Sequence, residues 1–112
     1  MKTIKINSWV DLPDNYTGIA EFTDGVLRYY LNGKLHRTDG PAVITSYGSM
    51  YYYLNGKTHR EDGPAEIWNN GSIFYYLNDN DITKEVEEWI KENNIPKVWN
   101  NSHKLLFKLT FG

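Results

Sequence analysis

The most reactive side chains of this chain occur in two short clusters of similar composition, His36-Arg37-Thr38-Asp39 and His59-Arg60-Glu61-Asp62. A histidine beside a carboxylate can act as a general base, and two histidines can ligate a metal. The clusters occupy equivalent positions in a repeated segment, however, and a catalytic site is rarely needed once per repeat. We therefore expect structural roles. The aspartates would accept backbone N–H groups at their own turns, and the arginines or histidines would bridge to a neighbouring unit.

No other motif predicts catalysis or a cofactor. His103 lies alone in an Asn-Ser-His segment, so no third ligand accompanies His36 and His59. The chain has no glycine-rich phosphate loop, no Gly-x-Ser-x-Gly elbow and no His-Glu-x-x-His motif. It also has no cysteine, which excludes disulfides, a thiol nucleophile and cysteine-based zinc sites. We expect no catalytic residue, no metal, no cofactor and no enzymatic activity.

Length and charge restrict the class of partner. The 112 residues fit one domain, and the net charge of −2 offers no basic excess for phosphates. Duplex nucleic acid and anionic membranes are therefore not expected partners. No apolar run approaches the ~20 residues of a membrane span, and the first residues lack the apolar segment of a signal peptide. These features favour a cytoplasmic protein.

The chain contains a gapless internal repeat of 23 residues. Residues 25–47 and 48–70 are identical at 14 of 23 positions, and a third copy begins at Gly71 and departs at Asp79. A degenerate half-copy over 18–25 precedes them. Repeats of this length indicate an array of supersecondary units.

Each unit is predicted to form β-hairpins. Asn32-Gly33 and Asn55-Gly56 are the dipeptide that best fills a two-residue type I′ turn. The Asp-Gly-Pro segments at 39–41 and 62–64 mark a second turn, because proline has no N–H for a ladder. An antiparallel meander follows, extended one unit at a time.

The first strand of each unit has two distinct faces, because alternate side chains point to opposite sides. One face is apolar in all three units and is the expected core face: Leu27, Tyr29, Leu31, Met50, Tyr52, Leu54, Ile73, Tyr75 and Leu77. The other, here called the aromatic face, comprises Arg28, Tyr30, Tyr51, Tyr53, Phe74 and Tyr76. Two interpretations stay open for it: stacked pairs that stabilise adjacent strands, or a docking surface.

A helix is predicted over residues 81–94, where Ile82, Val86, Trp89 and Ile90 form one apolar stripe. Asp81 or Thr83 can cap it, and it is expected to cover the core face at the end of the array. Its exposed side carries Glu85, Glu88 and Glu92, either a solvated face or an acidic surface for a basic partner.

Alternation in 104–111 predicts a closing strand, and Thr3–Ile6 predicts an N-terminal one. Either strand can pair with the other or with an edge of the sheet. Trp68 and Trp89 are expected in the core, with Trp9 and Trp99 closing its two ends.

The Tyr-Tyr-Leu-Asn-Gly-Lys-x-His-Arg-x-Asp-Gly-Pro-Ala segment resembles the variant MORN repeat of small phage and giant-virus proteins, over about residues 16–80. The Arg-x-Asp-Gly-Pro-Ala part departs from the ordinary MORN pattern. From this resemblance and the strand and helix patterns above, we expect a single, mainly β domain. It would comprise an N-terminal strand and lead-in (1–17), a repeat sheet (18–80), a capping helix (81–94) and a closing loop and strand (95–112).

The resemblance implies a non-catalytic binding module. It suggests a small phage accessory protein in the host cytoplasm that binds and inhibits a host defence protein, in the manner of an anti-CRISPR. One alternative is a virion component that forms homo-oligomers through its sheet. Another is a nucleotide binder, in which tyrosine rings stack on the base and Arg28, Arg37 or Arg60 contacts the phosphate.

Overall fold

The computed structural model describes residues 1–7 and 11–112 and shows a mainly β chain with two C-terminal helices. The strands are β1 Thr3–Ile6, β2 Gly18–Phe22, β3 Leu27–Leu31, β4 Lys34–Leu35, β5 Val43–Ile44, β6 Met50–Tyr51, β7 Tyr53–Leu54, β8 Lys57–Thr58, β9 Glu66–Ile67, β10 Ile73–Phe74, β11 Tyr76–Leu77 and β12 Asn80–Asp81. The helices are α1 Thr83–Glu92 and α2 Asn101–Phe111.

Eight strands form the main sheet, in the order β1-β2-β3-β5-β6-β9-β10 with β4 paired to β3. The chain therefore meanders through the repeats as expected, and these pairings are antiparallel. The N-terminal strand β1 instead pairs in parallel with β2. The later hairpins, β7 with β8 and β11 with β12, are separate two-stranded ladders beside the main sheet.

The hairpin turns have the backbone that the Asn-Gly dipeptides predict. Asn32 and Gly33 have φ of +51° and +80°, and Asn55 and Gly56 have +51° and +81°, as a type I′ turn requires. The third copy keeps this turn beyond the point where its sequence diverges, because Asn78 and Asp79 adopt φ of +48° and +68°. Asparagine and aspartate tolerate this region better than most residues, so the hairpin persists without glycine.

The described residues form two cores on opposite faces of the sheet, which corrects the expectation of one core face through all three units. Ala20 and Val43 both lie opposite Arg28 in the sheet register, so their core is on the aromatic face. This first core contains Ile6, Tyr16, Ala20, Phe22, Val26 and Val43. The second core contains Tyr75, Val86, Trp89 and Phe107, and Tyr75 belongs to the opposite face. The helices cover that face only at the end of the array.

Arginine side chains cover the expected core face in the first two units. The Arg37 guanidinium lies 4.1 Å from the Tyr29 ring centroid, and that of Arg60 lies 4.0 Å from Tyr52. In the third unit the equivalent Tyr75 stacks on Trp99, at 6.0 Å and 10°. A cation–π contact thus replaces apolar cover where no helix is present.

Helix α1 confirms the predicted capping helix. Its Val86 and Trp89 are buried, and Leu77 and Ile82 pack against the same core. The N-cap position is Ile82, without a side-chain cap, so neither Asp81 nor Thr83 caps the helix as expected; Asp81 Oδ1 instead accepts hydrogen bonds from the backbone N–H and the hydroxyl of Thr83.

The predicted closing strand is wrong, because residues 101–111 form α2. Asn100 caps this helix: its side chain accepts the His103 N–H, while His103 Nδ1 accepts the Asn100 N–H. The alternating pattern of 105–111 also contains the i, i+4 pair Phe107 and Phe111, which packs on Trp89 at 5.9 and 5.7 Å. The helix buries Phe107 fully and Phe111 in part.

The tryptophans divide between core and surface. Trp89 is buried and Trp99 packs against it, as predicted. Trp68 is 40% exposed and lies against Phe74 at 4.9 Å, so its expected place in the core is wrong. The expectation for Trp9 lies outside the described residues.

Two turn glycines provide a matched test of how the first unit is anchored. A Cβ at Gly33 would overlap the carbonyl oxygen of Asp14, whereas one at Gly56 would meet nothing closer than Lys34 Cβ at 3.7 Å. Both have φ near +80°, so Gly56→Ala should cost about 1–2 kcal/mol from backbone strain alone. Gly33→Ala should cost roughly 1–3 kcal/mol more, from overpacking. Chemical denaturation measures both, and equal losses would contradict the close approach.

Candidate functional site

The aromatic face forms two rows across the sheet. The register places Arg28 opposite Val43, Val43 opposite Tyr51, Tyr51 opposite Glu66, and Glu66 opposite Phe74. One row therefore runs along these five side chains. Tyr30, Tyr53 and Tyr76 form a second row on the hairpins, where they face Leu35, Thr58 and Asp81.

The first core covers part of this face. Tyr30, Tyr51 and Tyr53 are half-buried and pack against that core. Tyr16 meets Tyr30 edge-on at 6.2 Å, and the Arg28 guanidinium lies over the Phe22 ring at 4.4 Å. The aromatic face is thus partly packing surface and partly open.

An open groove of about 580 Å³ lies where the cover ends. Its lining includes Arg28 and the tyrosines Tyr47, Tyr51 and Tyr53. Asp24, Thr45 and Ser46 add polar groups at its margin. Tyr47 is 63% exposed and is the most accessible aromatic ring of the groove.

The phenol pKa values of Tyr51 and Tyr76 are raised above the ordinary value. Burial raises the pKa of Tyr51, with the nearby Tyr47 hydroxyl and the Glu66 carboxylate adding to the effect. Burial also raises the pKa of Tyr76, again with a contribution from Glu66. These hydroxyls therefore stay protonated at neutral pH, where they can both donate and accept hydrogen bonds.

The His-Arg-x-Asp clusters lie on the other side of the sheet, around an open depression of about 410 Å³. Arg37 Nε donates to Asp39 at 2.9 Å and its terminal nitrogen donates to the Pro41 carbonyl at 3.1 Å. Arg60 repeats the pattern with Asp62 and Pro64, at 2.8 and 3.1 Å. Each guanidinium thus closes its own loop and stacks on a tyrosine, whereas an arginine bridge to the next unit was one of the options expected.

The carboxylates of these clusters are held ionised. The hydrogen bond and charge of Arg37 lower the pKa of Asp39. Burial opposes ionisation of Asp62, but the hydrogen bond and charge of Arg60, with the charges of Lys104 and Lys108, outweigh it and lower the pKa. The two lysines belong to α2, so the terminal helix also interacts electrostatically with the second unit.

The histidines connect one unit to the next, in line with the structural role expected for them. His36 Nδ1 accepts the backbone N–H of Asn55 at 3.0 Å, and His59 Nδ1 accepts that of Asn78 at 3.0 Å. Each ring must therefore be in the tautomer that carries its proton on Nε2. In His59 this Nε2 lies 3.2 Å from Glu61 Oε1. Neither Nδ1 lone pair is available to a substrate or a metal.

The remaining candidate residues do not join the groove. Glu85, Glu88 and Glu92 are exposed on α1, which packs on the face opposite to the groove. Arg37 and Arg60 also lie opposite it, so Arg28 alone of the three arginines stands beside the groove tyrosines. Over 1–7 and 11–112, no three His, Asp or Glu side chains converge as metal ligands would.

Sequence reasoning missed part of the groove. Tyr47, Ser46 and Asp24 lie in turns, where strand alternation assigns no face. A large aromatic residue directly before a turn glycine, as in Tyr47-Gly48, was the available signal.

In comparisons with known proteins, no family model, no curated protein and no solved structure matches the chain. In the described residues, neither helix combines the length and apolar character that crossing a bilayer requires.

The two histidine bridges differ in exposure, which gives a matched prediction. His59→Phe keeps an aromatic ring but leaves the partly buried Asn78 N–H without its acceptor, so we expect a loss of about 1–3 kcal/mol. His36→Phe should cost under about 1 kcal/mol, because water can reach the exposed Asn55 N–H. Urea unfolding of both variants measures the difference, and a larger loss for His36→Phe would refute this assignment.

Proposed function

We propose that this chain is a non-catalytic binding module and that its groove beside the aromatic face contacts a protein partner. The observation that carries the proposal is the groove of about 580 Å³ with Arg28, Tyr47 and Tyr51 in its lining. Tyrosine and arginine dominate binding energy at protein interfaces, since they offer large contact area together with hydrogen-bonding groups. Asp24 and Ser46 supply a polar margin of the kind that surrounds such contacts.

The rigidity of the groove supports this proposal. Tyr51 and Tyr53 are held against the first core, so their rings lose little freedom when a partner binds. Tyr47 lies in a turn beside them and is 63% exposed. The groove therefore combines packed rings with one exposed ring.

The resemblance to variant MORN repeats extends the proposal to a phage accessory protein. In this role the chain binds and inhibits a defence protein in the cytoplasm of the host. Nothing in the geometry favours a virion component in particular. The nucleotide alternative has weaker support, because two of its three phosphate-binding arginines are engaged on the opposite face.

The test compares partner capture by three tagged forms of the full chain in bacterial lysate. Tyr47→Ala removes the exposed ring of the groove, and Leu109→Ala removes an apolar side chain of α2 that is at least as exposed, at 76% against 63%. We expect the wild type and Leu109→Ala to retain one stoichiometric host protein. Tyr47→Ala should bind this host protein at least tenfold more weakly, a loss of about 1.4 kcal/mol in binding free energy, with an unchanged melting temperature.

Two results would contradict the proposal. Equal capture by all three forms would place the contact elsewhere, and capture of no protein by the wild type would remove the protein partner. A fixed oligomer of the pure chain that Tyr47→Ala disrupts would favour self-assembly through the same surface.

A further inference from the structure

The last strand of the main sheet, β10, has one free edge. In the first two units the equivalent positions pair on both sides: Leu27 with Glu21 and Ile44, and Met50 with Ile44 and Ile67. Ile73 pairs with Ile67 alone, and the described residues place no strand on its other side. Its side chain is 41% exposed.

The backbone of Ile73 points toward this free edge. The carbonyls on either side of it, those of Ser72 and Phe74, accept the N–H groups of Trp68 and Ala65. In an antiparallel ladder, successive residues direct their N–H and C=O groups to opposite sides. The N–H and C=O of Ile73 therefore face away from β9, as an unpaired edge does.

The repeats show which segment fills this edge. In the first unit the occupant is Ala42-Val43-Ile44, and in the second it is Ala65-Glu66-Ile67. Both run antiparallel, with isoleucine opposite the position of Ile73. The middle residue varies between the two copies. The chain thus contains two examples of its own edge in the occupied state.

In the third unit, the free edge of β10 is closed at one end only. Tyr29 and Tyr52 donate their N–H groups to the carbonyls of Ala42 and Ala65, whereas Tyr75 donates to Thr83 Oγ1 at 2.9 Å. The Thr83 hydroxyl thus replaces the carbonyl of the missing alanine. At the next two positions, opposite Phe74 and Ile73, residues 1–7 and 11–112 supply no such substitute.

We propose that the free edge of β10 accepts an extended segment of another protein as an added antiparallel strand. The segment places a β-branched apolar residue opposite Ile73 and a variable residue opposite Phe74. It lacks the alanine of the repeats, because Thr83 occupies that place. A folded second copy cannot supply an Ala-x-Ile segment, since both of its own are already paired in its sheet, and the occupant we propose is therefore a different protein.

The backbone bonds of the added strand follow from the repeats. Tyr52 N–H bonds the Ala65 carbonyl, so the next bonded pair along this ladder is Met50 with Ile67. By analogy, the isoleucine of the added segment exchanges two hydrogen bonds with Ile73. Strand addition of this kind takes its affinity from the main chain and its specificity from alternate side chains.

The probe is a peptide with a free amino terminus and an amidated carboxyl terminus, with the sequence of residues 43–47, Val-Ile-Thr-Ser-Tyr, titrated into the ¹⁵N-labelled full chain. We expect saturable amide shifts at Ile73 and Phe74, and none at the occupied Leu27. The same peptide methylated on its isoleucine nitrogen lacks the donor to the Ile73 carbonyl and should bind at least tenfold more weakly.

A protein variant provides the second comparison. Ile73→Pro removes the outward N–H and leaves both bonds to β9, so it should abolish binding while Ile73→Val preserves it. Tyr47→Ala should bind the peptide like the wild type, because Tyr47 lies outside this edge. A failure of this proposal can therefore be distinguished from a failure of the proposed contact at the groove.

The proposal is overturned if the amide of Ile73 does not shift up to the solubility limit of the peptide, or if the methylated peptide binds equally well. It is also overturned if the shifts of Ile73 follow protein concentration without peptide, since a second copy would then occupy the edge.

Discussion

Each hairpin tip of the array bonds the preceding unit through two backbone N–H groups, and the stacking of the repeats depends on this contact. A type I′ turn leaves the N–H groups of its two central residues directed outward. The first is accepted by Thr17 Oγ1, His36 Nδ1 and His59 Nδ1 in the successive units. The second is accepted by the carbonyls of Tyr16, Leu35 and Thr58. A unit placed one residue out of register would lose these protein acceptors, so the contact favours the 23-residue period.

The two ends of the array bury apolar surface on opposite faces, and this determines where a binding surface can form. Ile6 of β1, beside β2 in the sheet, and Tyr16 of the loop before β2 belong to the core on the aromatic face of the first unit, while α1 and α2 cover the other face of the third. Between them, Arg37 and Arg60 stack on tyrosines and cover the middle of one face. The groove lies on the opposite face, where the first core ends. The thin repeat sheet is thereby stabilised although neither of its faces is covered along its whole length.

Local signals predicted the hairpins and α1, because these depend on contacts within a few residues. The Asn-Gly turns and the stripe of Val86 and Trp89 are such signals. The prediction of a closing strand was wrong, because the spacing of Phe107 and Phe111 fits one face of a strand and one face of a helix equally well. The true state of this segment depends on the distant Trp89. The sheet face that the first core occupies was also predicted wrongly, because β1 and Tyr16, which lie outside the repeats, determine it. A structural role for the histidines could be predicted, because they recur at equivalent positions of the repeat. The residues to which they bond could not be predicted. MORN-like membership and the biological role stay proposals.

The most direct test of this account is the scalar coupling across each hydrogen bond between an asparagine amide nitrogen and a histidine Nδ1 in the uniformly ¹⁵N-labelled chain. We expect couplings for Asn55 with His36 and Asn78 with His59, together with ring nitrogen shifts that place the proton on Nε2. The Asn100 and His103 pair of the α2 cap has the same geometry within one turn and serves as the internal reference. Coupling in the reference pair, with none in the two pairs between units and the ring proton on Nδ1, would contradict the account.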